Sequence, residues 1–422
     1  MDSEWLGIGL LIAMVVAGVP IWLALGVGGS LALMRGFDLD PQLIVSMTYN
    51  HINNVTLLSV PLFLLVGETL SRGGCAKPVV RLLISFMGHI PGGPAYVVIV
   101  ACMIFAAMSS GGMAFIAGFG PLIIPMMMEM GYSKRFSIGL VVTAASLGVL
   151  IPPSIPLIVY GFVTETSVKD LYSAAFVPGG VLALLLALTV FFQTRRGHYQ
   201  RLAPASWAER WAAFKEGWPA LLMPPLIIIP IYTGVCTPTE SASIAVVYSL
   251  FLGIVVYRKL SVGQLWQACI SSGRLFSMLM MILATAFMLN QALVFMRVPF
   301  ELGDALIDAN MSWALFMFVV IIAFTLMGMF LDTNALLIIA PPILLPALID
   351  LGYDPIVFGV VTVIAIELAI ITPPFGMALF VAAGVLDEDF ETVTRACFLF
   401  YPAMIAGLLL IALVPDIALW LT

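Results

Sequence analysis

The chain is a succession of long apolar segments, and this pattern constrains its fold more than any other feature. Segments of roughly 17–25 apolar residues, long enough to cross about 30 Å of hydrocarbon, are separated by short gaps that hold the Lys and Arg residues. Residues 221–231 and 314–330 are apolar on both faces, whereas the strands of an outer-membrane barrel alternate in polarity. The pattern therefore predicts an all-α, polytopic membrane protein with about 11–12 transmembrane helices.

Composition supports a bilayer environment. Hydrophobic residues make up 62% of the 422 residues, charged residues only 9%, and the mean hydropathy is +1.14. The first apolar run has no preceding basic segment, so we expect the first helix to be retained and not cleaved as a signal peptide. The five cysteines form no CxxC pair and the three histidines lie far apart, so neither a disulfide framework nor a metal centre is predicted.

One polar interruption divides the chain nearly in half. Residues 194–217 carry five basic side chains, and the positive-inside rule places this connector in the cytoplasm. The first half is then 1–193 and the second half 218–422. After the connector, residues 218–234 are expected to cross outward and residues 242–257 to return to Arg258 and Lys259.

The two halves share proline and glycine positions at an offset of 221 residues, the separation of Pro121 and Pro342. The same offset relates Gly131-Tyr132 to Gly352-Tyr353 and Pro152-Pro153 to Pro373-Pro374. These matches predict two structural repeats. The repeats would be inverted if the segments before the Gly-Tyr pairs are hairpins that each enter and leave the membrane by one face.

Each half contains a polar break in an apolar segment. A hairpin near residues 100–130 would have Ser109, Ser110 and Gly111 at its tip, and a second hairpin near 313–350 would have Asp332, Thr333 and Asn334. Non-helical backbone at membrane depth is tolerated only where it is buried in protein or lines a wet cavity. We therefore interpret both segments as re-entrant hairpins.

Each half also contains a helix that proline interrupts. The breaks fall near residues 137–161 and 356–383, because paired prolines remove amide donors and free the carbonyl groups upstream. Such carbonyls bind sodium in discontinuous transporter helices, whose N-terminal ends face anionic groups. A kink or tight packing explains any one break, but the symmetry of all four favours binding sites. The residues predicted at the two breaks are Gly148, Pro152, Pro153, Thr372, Pro373, Pro374 and Gly376.

Buried carboxylates add to this prediction. Asp332 and Glu367 fall within apolar segments, where a charge costs roughly 2.5–3.5 kcal/mol and usually marks a pathway or a partner. Glu367 is a candidate cation ligand, proton carrier or structural anchor. Glu68 and Glu240 lie nearer the ends of spans, where an anchoring role is favoured.

The source of energy is constrained by what the sequence lacks. It contains no Gly-Lys-Ser or Gly-Lys-Thr, hence no P-loop, and no polar segment long enough to form an ATPase domain. It also lacks a channel filter signature. We therefore expect a carrier driven by a gradient or a partner, and not an enzyme.

Several motifs together resemble one known family. They are Gly18-Val-Pro20, Val60-Pro-Leu-Phe63, Gly67-Glu68, Gly131-Tyr132, Leu150-Ile-Pro-Pro-Ser-Ile-Pro156, Thr237-Pro-Thr-Glu240, Gly328-Met-Phe-Leu-Asp-Thr333 and Thr372-Pro-Pro374. With them the chain resembles, over nearly its whole length, the large membrane subunit of the tripartite ATP-independent periplasmic (TRAP) transporters, called DctM in its dicarboxylate form.

The resemblance implies an elevator-type permease of the bacterial inner membrane that carries an organic acid with sodium. It implies two partners, a small four-helix membrane subunit (DctQ-like) and a periplasmic substrate-binding protein (DctP-like). Dicarboxylates, sialic acid and other sugar acids all remain open as substrates. No cofactor is expected beyond sodium as coupling ion, and the family's ion and substrate sites would fall at the tips and breaks. The positions expected near sodium are Ser109, Ser110, Gly148, Asp332, Thr333 and Thr372.

The first tip departs from the family pattern, which is often Ser-Gly-Ser-Ser followed by small residues. Here Gly111 and Gly112 are displaced, and Met113 and Phe115 add bulk, so the substrate pocket would differ in shape. Two alternatives to the TRAP subunit remain. One is a stand-alone sodium- or proton-coupled carboxylate carrier, and the other is a non-transporting membrane scaffold or receptor.

Overall fold

A computed structural model describes residues 2–109, 111–195, 199 and 202–422. Ser110 of the first predicted tip, and Arg196 and Arg201 of the connector, lie outside the described residues. The described part contains 22 α-helices and no strand, which confirms the all-α prediction. A 3₁₀ turn at Val55–Leu58 and a π-helical turn at Leu252–Val256 complete the regular structure of these residues.

The first half and the connector contain helices of very different length. They are α1 (Asp2–Val16), α2 (Ile21–Gly36), α3 (Pro41–Ile52), α4 (Ser59–Arg72), α5 (Ala76–Met87), α6 (Gly93–Ser109), α7 (Gly112–Glu129), α8 (Lys134–Gly148), α9 (Ile155–Val163), α10 (Val168–Arg195) and α11 (Trp207–Leu221).

The second half follows a similar order. Its helices are α12 (Met223–Tyr232), α13 (Pro238–Phe251), α14 (Val262–Phe295), α15 (Val298–Asp308), α16 (Trp313–Gly328), α17 (Thr333–Asp350), α18 (Pro355–Ala369), α19 (Met377–Leu386), α20 (Phe390–Cys397), α21 (Tyr401–Leu413) and α22 (Asp416–Leu419).

Many of these helices are apolar enough to lie in a bilayer. Among the described residues, six helices are long and apolar enough to span a membrane, or seven if α20 and α21, bent by 53°, form one span. Further helices of 10–17 residues, including α6, α16 and α18, are also apolar. The predicted total of about 11–12 spans requires that most of these shorter helices also cross the bilayer.

Helix boundaries in the two halves coincide at the offset found in the sequence. α7 and α17 each have 18 residues, and their first residues, Gly112 and Thr333, are 221 positions apart. α8 and α18 each have 15 residues and begin at Lys134 and Pro355, again 221 positions apart. The two hairpins and the two broken helices therefore occupy equivalent places in each half.

Helix α14 departs from this correspondence between the halves. It runs unbroken for 34 residues, whereas the equivalent part of the first half is divided into α3, the 3₁₀ turn and α4. The difference has a local cause. The Asn54 side chain accepts a hydrogen bond from the Thr56 amide at 2.8 Å and so starts a new turn, while its counterpart at the same offset, Leu275, has no side chain that can do so.

The segment predicted to cross outward, residues 218–234, contains a helix boundary. α11 ends at Leu221, and α12 begins at Met223 with proline in its first turn. α11 begins with a capping box formed by Ser206 and Glu209. An ion pair of 2.9 Å between Arg81 and Glu216 joins α11 to α5.

Close helix packing depends on small residues. A Cβ added at Gly29 would lie 2.6 Å from the Leu289 amide nitrogen, so α2 meets α14 backbone to backbone. α4 is joined to α13 by a hydrogen bond of 2.8 Å between the buried hydroxyls of Thr69 and Ser249. These contacts join α2 to α14 and α4 to α13, and α4 and α14 both form walls of the cavity described below.

The contact between α8 and α20 gives a test of this packing. We expect Gly139→Ala to lower the free energy of unfolding by about 1–3 kcal/mol, the usual cost of overpacking. The added Cβ would lie 2.1 Å from the Ala396 carbonyl oxygen, so the backbone would have to move. Thermal unfolding of the detergent-purified protein measures the effect.

Gly180→Ala is the matched control, since nothing lies within 4 Å of a Cβ added at this position in α10. Its stability should be unchanged or higher, because glycine costs roughly 1 kcal/mol relative to alanine in a helix interior. Equal stability of the two variants would contradict the close approach of α8 to α20.

Candidate functional site

Both hairpin tips reach one cavity of about 600 Å³. Its lining includes Ser109 and Gly111 of the first tip and Asp332, Thr333 and Asn334 of the second. Glu367 of α18 lines the same cavity. The structure therefore brings together six of the residues chosen from the sequence, although they come from halves far apart in the chain.

The first tip joins α6 to α7. The two helices pack against each other as a hairpin, with Phe105 and Phe119 in edge contact at 4.7 Å between ring centroids. Gly111 precedes α7 in an extended conformation and has no side chain that could cap the helix, and no other described side chain does so. The Ser109 side chain is 97% buried, and its Oγ has no hydrogen-bond partner among the described residues. The tip thus presents an open helix N-terminus beside an unpaired hydroxyl.

The second tip joins α16 to α17 and is capped differently. The Asp332 carboxylate accepts a hydrogen bond of 3.0 Å from the backbone N–H of Asn334 and so caps the N-terminus of α17. Thr333 is buried, and Asn334 Oδ1 has no partner among the residues described. This tip therefore presents a carboxylate and an amide oxygen to the cavity.

Glu367 lies on the most buried helix of the second half. Every residue from 357 to 369 of α18 is buried, and one Glu367 oxygen, Oε2, has no partner in the described part of the chain. Ser146, its counterpart at the same offset in α8, also lines the cavity and donates to the Thr143 carbonyl at 3.1 Å. The carboxylate and the hydroxyl thus face one cavity from equivalent helices.

The proline breaks border the cavity, which is lined by Val149 and Ile155 beside the first break and by Ile370 and Met377 beside the second. Seven sequence-predicted residues do not line it, namely Gly148, Pro152, Pro153, Thr372, Pro373, Pro374 and Gly376. The breaks instead end the helices against which the tips pack. A Cβ added at Gly112 would lie 2.3 Å from the Ala145 oxygen, and one added at Gly328 would lie 2.8 Å from the Ala369 Cβ. Each tip therefore rests on the helix that is broken in its own half.

Protein groups satisfy part of the backbone freed at the second break. The Ile370 carbonyl accepts from the Ala378 amide at 3.1 Å, and the Ile371 carbonyl accepts from the Tyr401 hydroxyl. The Thr372 hydroxyl donates to the Leu368 carbonyl at 2.6 Å. The carbonyls of Ile370 and Ile371 are therefore less available to a cation than the proline pattern suggests, and the unpaired side-chain oxygens at the tips are the stronger candidates.

Sequence reasoning assigned Glu68 to an anchoring role near a span end, but it also lines the cavity. Its carboxylate pairs with Arg72 at 2.9 Å and accepts from Ser271 of α14 at 3.0 Å. Gly67 brings α4 against the first tip, because a Cβ there would lie 2.8 Å from the Ser109 oxygen. The Gly67-Glu68 motif is visible in the sequence, but only the fold shows that it lies against the first tip.

The remaining wall is aliphatic. Four α14 residues, Leu275, Met278, Leu279 and Ile282, line the cavity together with Leu64 of α4 and Ile116 of α7. The charged lining residues are three carboxylates, those of Glu68, Asp332 and Glu367, and the described lining contains no Lys, Arg or His. The site combines oxygen-rich hairpin tips with an apolar wall formed mainly by α14.

Known proteins place this arrangement in a family. The chain matches the model of the Tripartite ATP-independent periplasmic transporter, DctM component, over residues 8–417. It is 32% identical to the C4-dicarboxylate TRAP transporter large permease protein DctM of Rhodobacter capsulatus, over 97% of each chain. It is also 32% identical to the 2,3-diketo-L-gulonate TRAP transporter large permease protein of Escherichia coli, over 97% of this chain and 96% of the relative.

A solved structure supports the fold independently. The Alcanivorax borkumensis YdaH transporter superposes with a TM-score of 0.67 over 98% of each chain at 14% identity, which shows a common fold. The family consists of transporter permeases and not of enzymes. The chain therefore belongs to the DctM family of TRAP transporter large permeases and is a multi-pass protein of the bacterial inner membrane.

Proposed function

We propose that this permease imports a small organic acid together with sodium and receives the acid from a periplasmic binding protein. The observation that carries the proposal is the cluster of unpaired oxygens at the cavity, Ser109 Oγ, Asn334 Oδ1 and Glu367 Oε2. A buried polar atom without a partner costs about 1–3 kcal/mol. A hard cation that prefers oxygen ligands would remove this cost.

The two hairpins offer complementary binding elements. The N-terminus of α7 attracts a carboxylate, because its first amide groups have no partner in the described part of the chain and carry the positive end of the helix dipole. The carboxylates of Asp332 and Glu367 attract cations to the same cavity. Sodium bound there would offset the negative charge that otherwise repels an organic anion. Coupling follows from this, since each ion improves the site for the other.

The partners are inferred from the family. A tripartite periplasmic transporter has two further components, which we propose are a small membrane subunit and a periplasmic binding protein. An elevator-like movement of the hairpins and broken helices against α4 and α14 would carry the cavity across the bilayer. The same structure without a binding protein would act as a stand-alone carrier, so the dependence on that protein separates the two functions.

Removing one unpaired oxygen tests the sodium site. We expect Ser109→Ala to raise the sodium concentration for half-maximal uptake by roughly tenfold, equivalent to about 1.4 kcal/mol of binding free energy. Uptake of a labelled organic acid into proteoliposomes, with the small subunit and the binding protein present, measures this. Uptake that persists without sodium or without the binding protein would contradict the proposal.

Ser277→Ala is the matched control for this experiment. Ser277 lies on α14 outside the cavity lining, and its hydroxyl donates to the Gly273 carbonyl at 2.8 Å. Its sodium dependence should equal that of the unaltered protein. The same sodium dependence in both serine variants would show that Ser109 is not a ligand.

Two substitutions of Asp332 separate its role as helix cap from the effect of its charge. Asp332→Asn keeps an oxygen that can cap α17, so it should fold normally but require more sodium. Asp332→Ala should in addition lose about 1 kcal/mol of stability, because the cap is removed. Thermal unfolding and sodium-dependent uptake distinguish the two effects. If the Asn variant keeps the sodium dependence of the unaltered protein, the charge of Asp332 does not take part in coupling.

A further inference from the structure

We infer that the solute is an acid with a single carboxylate on an apolar body, and that dicarboxylates and polyhydroxylated sugar acids are disfavoured. This inference rests on the proposed function, because it concerns the same cavity. Three features of the cavity support this inference: the number of helix ends open to an anion, the sign of the charges in the lining, and the apolar chemistry of the α14 wall.

Among the described residues, only the first tip leaves a helix N-terminus open to an anion. No described side chain caps the N-terminus of α7, which follows Gly111, and the buried Ser109 hydroxyl beside it has no partner in the same part of the chain. The N-terminus of α17 is already occupied by a carboxylate, because Asp332 accepts from the Asn334 amide. A solute with two carboxylates would therefore find one helix end open and the other filled.

The charges around the cavity disfavour a second carboxylate as well. Glu68, Asp332 and Glu367 line it, and no cationic side chain of the described residues does. The nearby Arg72 is engaged, since its guanidinium pairs with Glu68 at 2.9 Å and donates to Gln267 at 3.1 Å. Coupling sodium can balance one solute carboxylate, but a second one would add like charge without a fixed partner.

The aliphatic side chains of the cavity lining select for an apolar body. Leu275, Met278, Leu279 and Ile282 project from α14 into the cavity, and Leu64 and Ile116 extend this surface. Hydroxyl groups placed against these side chains would lose hydrogen bonds to water and gain none. Aliphatic or aromatic groups would instead bury surface there. The cavity of about 600 Å³ is within the usual size of small-molecule sites.

A binding experiment separates the solute classes. The permease, purified with its small membrane subunit and placed in nanodiscs, is heated with 4-methylpentanoate, phenylacetate, succinate or gluconate, in sodium chloride and in choline chloride. We expect the two apolar monocarboxylates to raise the unfolding temperature in sodium, with apparent Kd values at least ~10-fold lower than those of succinate and gluconate.

Two contrary outcomes have different meanings. If succinate or gluconate binds in sodium as tightly as the apolar acids, the proposed function stands and the inference about the solute is overturned. If no acid stabilises the protein more in sodium than in choline, the sodium-coupled function itself is contradicted, and the inference falls with it.

A pair of variants tests the wall directly. Met278 lines the cavity, whereas Met281, three residues later on α14, does not, and both side chains are about half exposed. Met278→Gln should weaken binding of 4-methylpentanoate roughly fivefold, and Met281→Gln should leave it unchanged. Equal effects of the two substitutions would show that the α14 wall does not contact the solute.

Discussion

The structure depends on one constraint, that backbone leaving helical geometry inside a bilayer must find hydrogen-bond partners in protein, water or an ion. Two hairpin tips and two proline breaks interrupt helices in apolar parts of the described chain. At the second break the protein itself supplies partners, through the Ala378 amide and the Tyr401 hydroxyl. At the tips side-chain oxygens stay unpaired, and these are the positions where an ion can bind.

The central helices make this arrangement possible. In α8 and α18 every residue over 136–148 and 357–369 is buried, so these parts of both helices are covered on all sides by protein. Most of their residues are apolar, as expected for helices in the middle of a bundle, and Ser146 and Glu367 are the polar positions that face the cavity. Small residues let the tips approach them, as at Gly112 and Gly328. The tips are therefore held against rigid helices, which places their oxygens with little freedom before any ion arrives.

Local chemistry made much of this predictable from the sequence. Proline and glycine act through their own backbone, so the hairpins, the breaks and the 221-residue offset could be found without a fold. The division of the first half into α3 and α4, opposite the continuous α14, was not predicted, because it depends on capping at Asn54. That Glu68 also lines the cavity could not be predicted, because the contact of its neighbour Gly67 with the first tip is tertiary. The α14 wall could not be found from periodicity, because that helix is apolar on most faces.

The central claim is that oxygens from both tips hold sodium together with the carboxylate of a solute. The most direct measurement is a cryo-electron microscopy structure of the complex in sodium with a bound organic acid, compared with one in choline. We predict sodium density in contact with Ser109, Asn334 or Glu367 and the solute carboxylate near the N-terminus of α7. Solute bound away from both tips, or no ion density at these oxygens in sodium, would contradict this account.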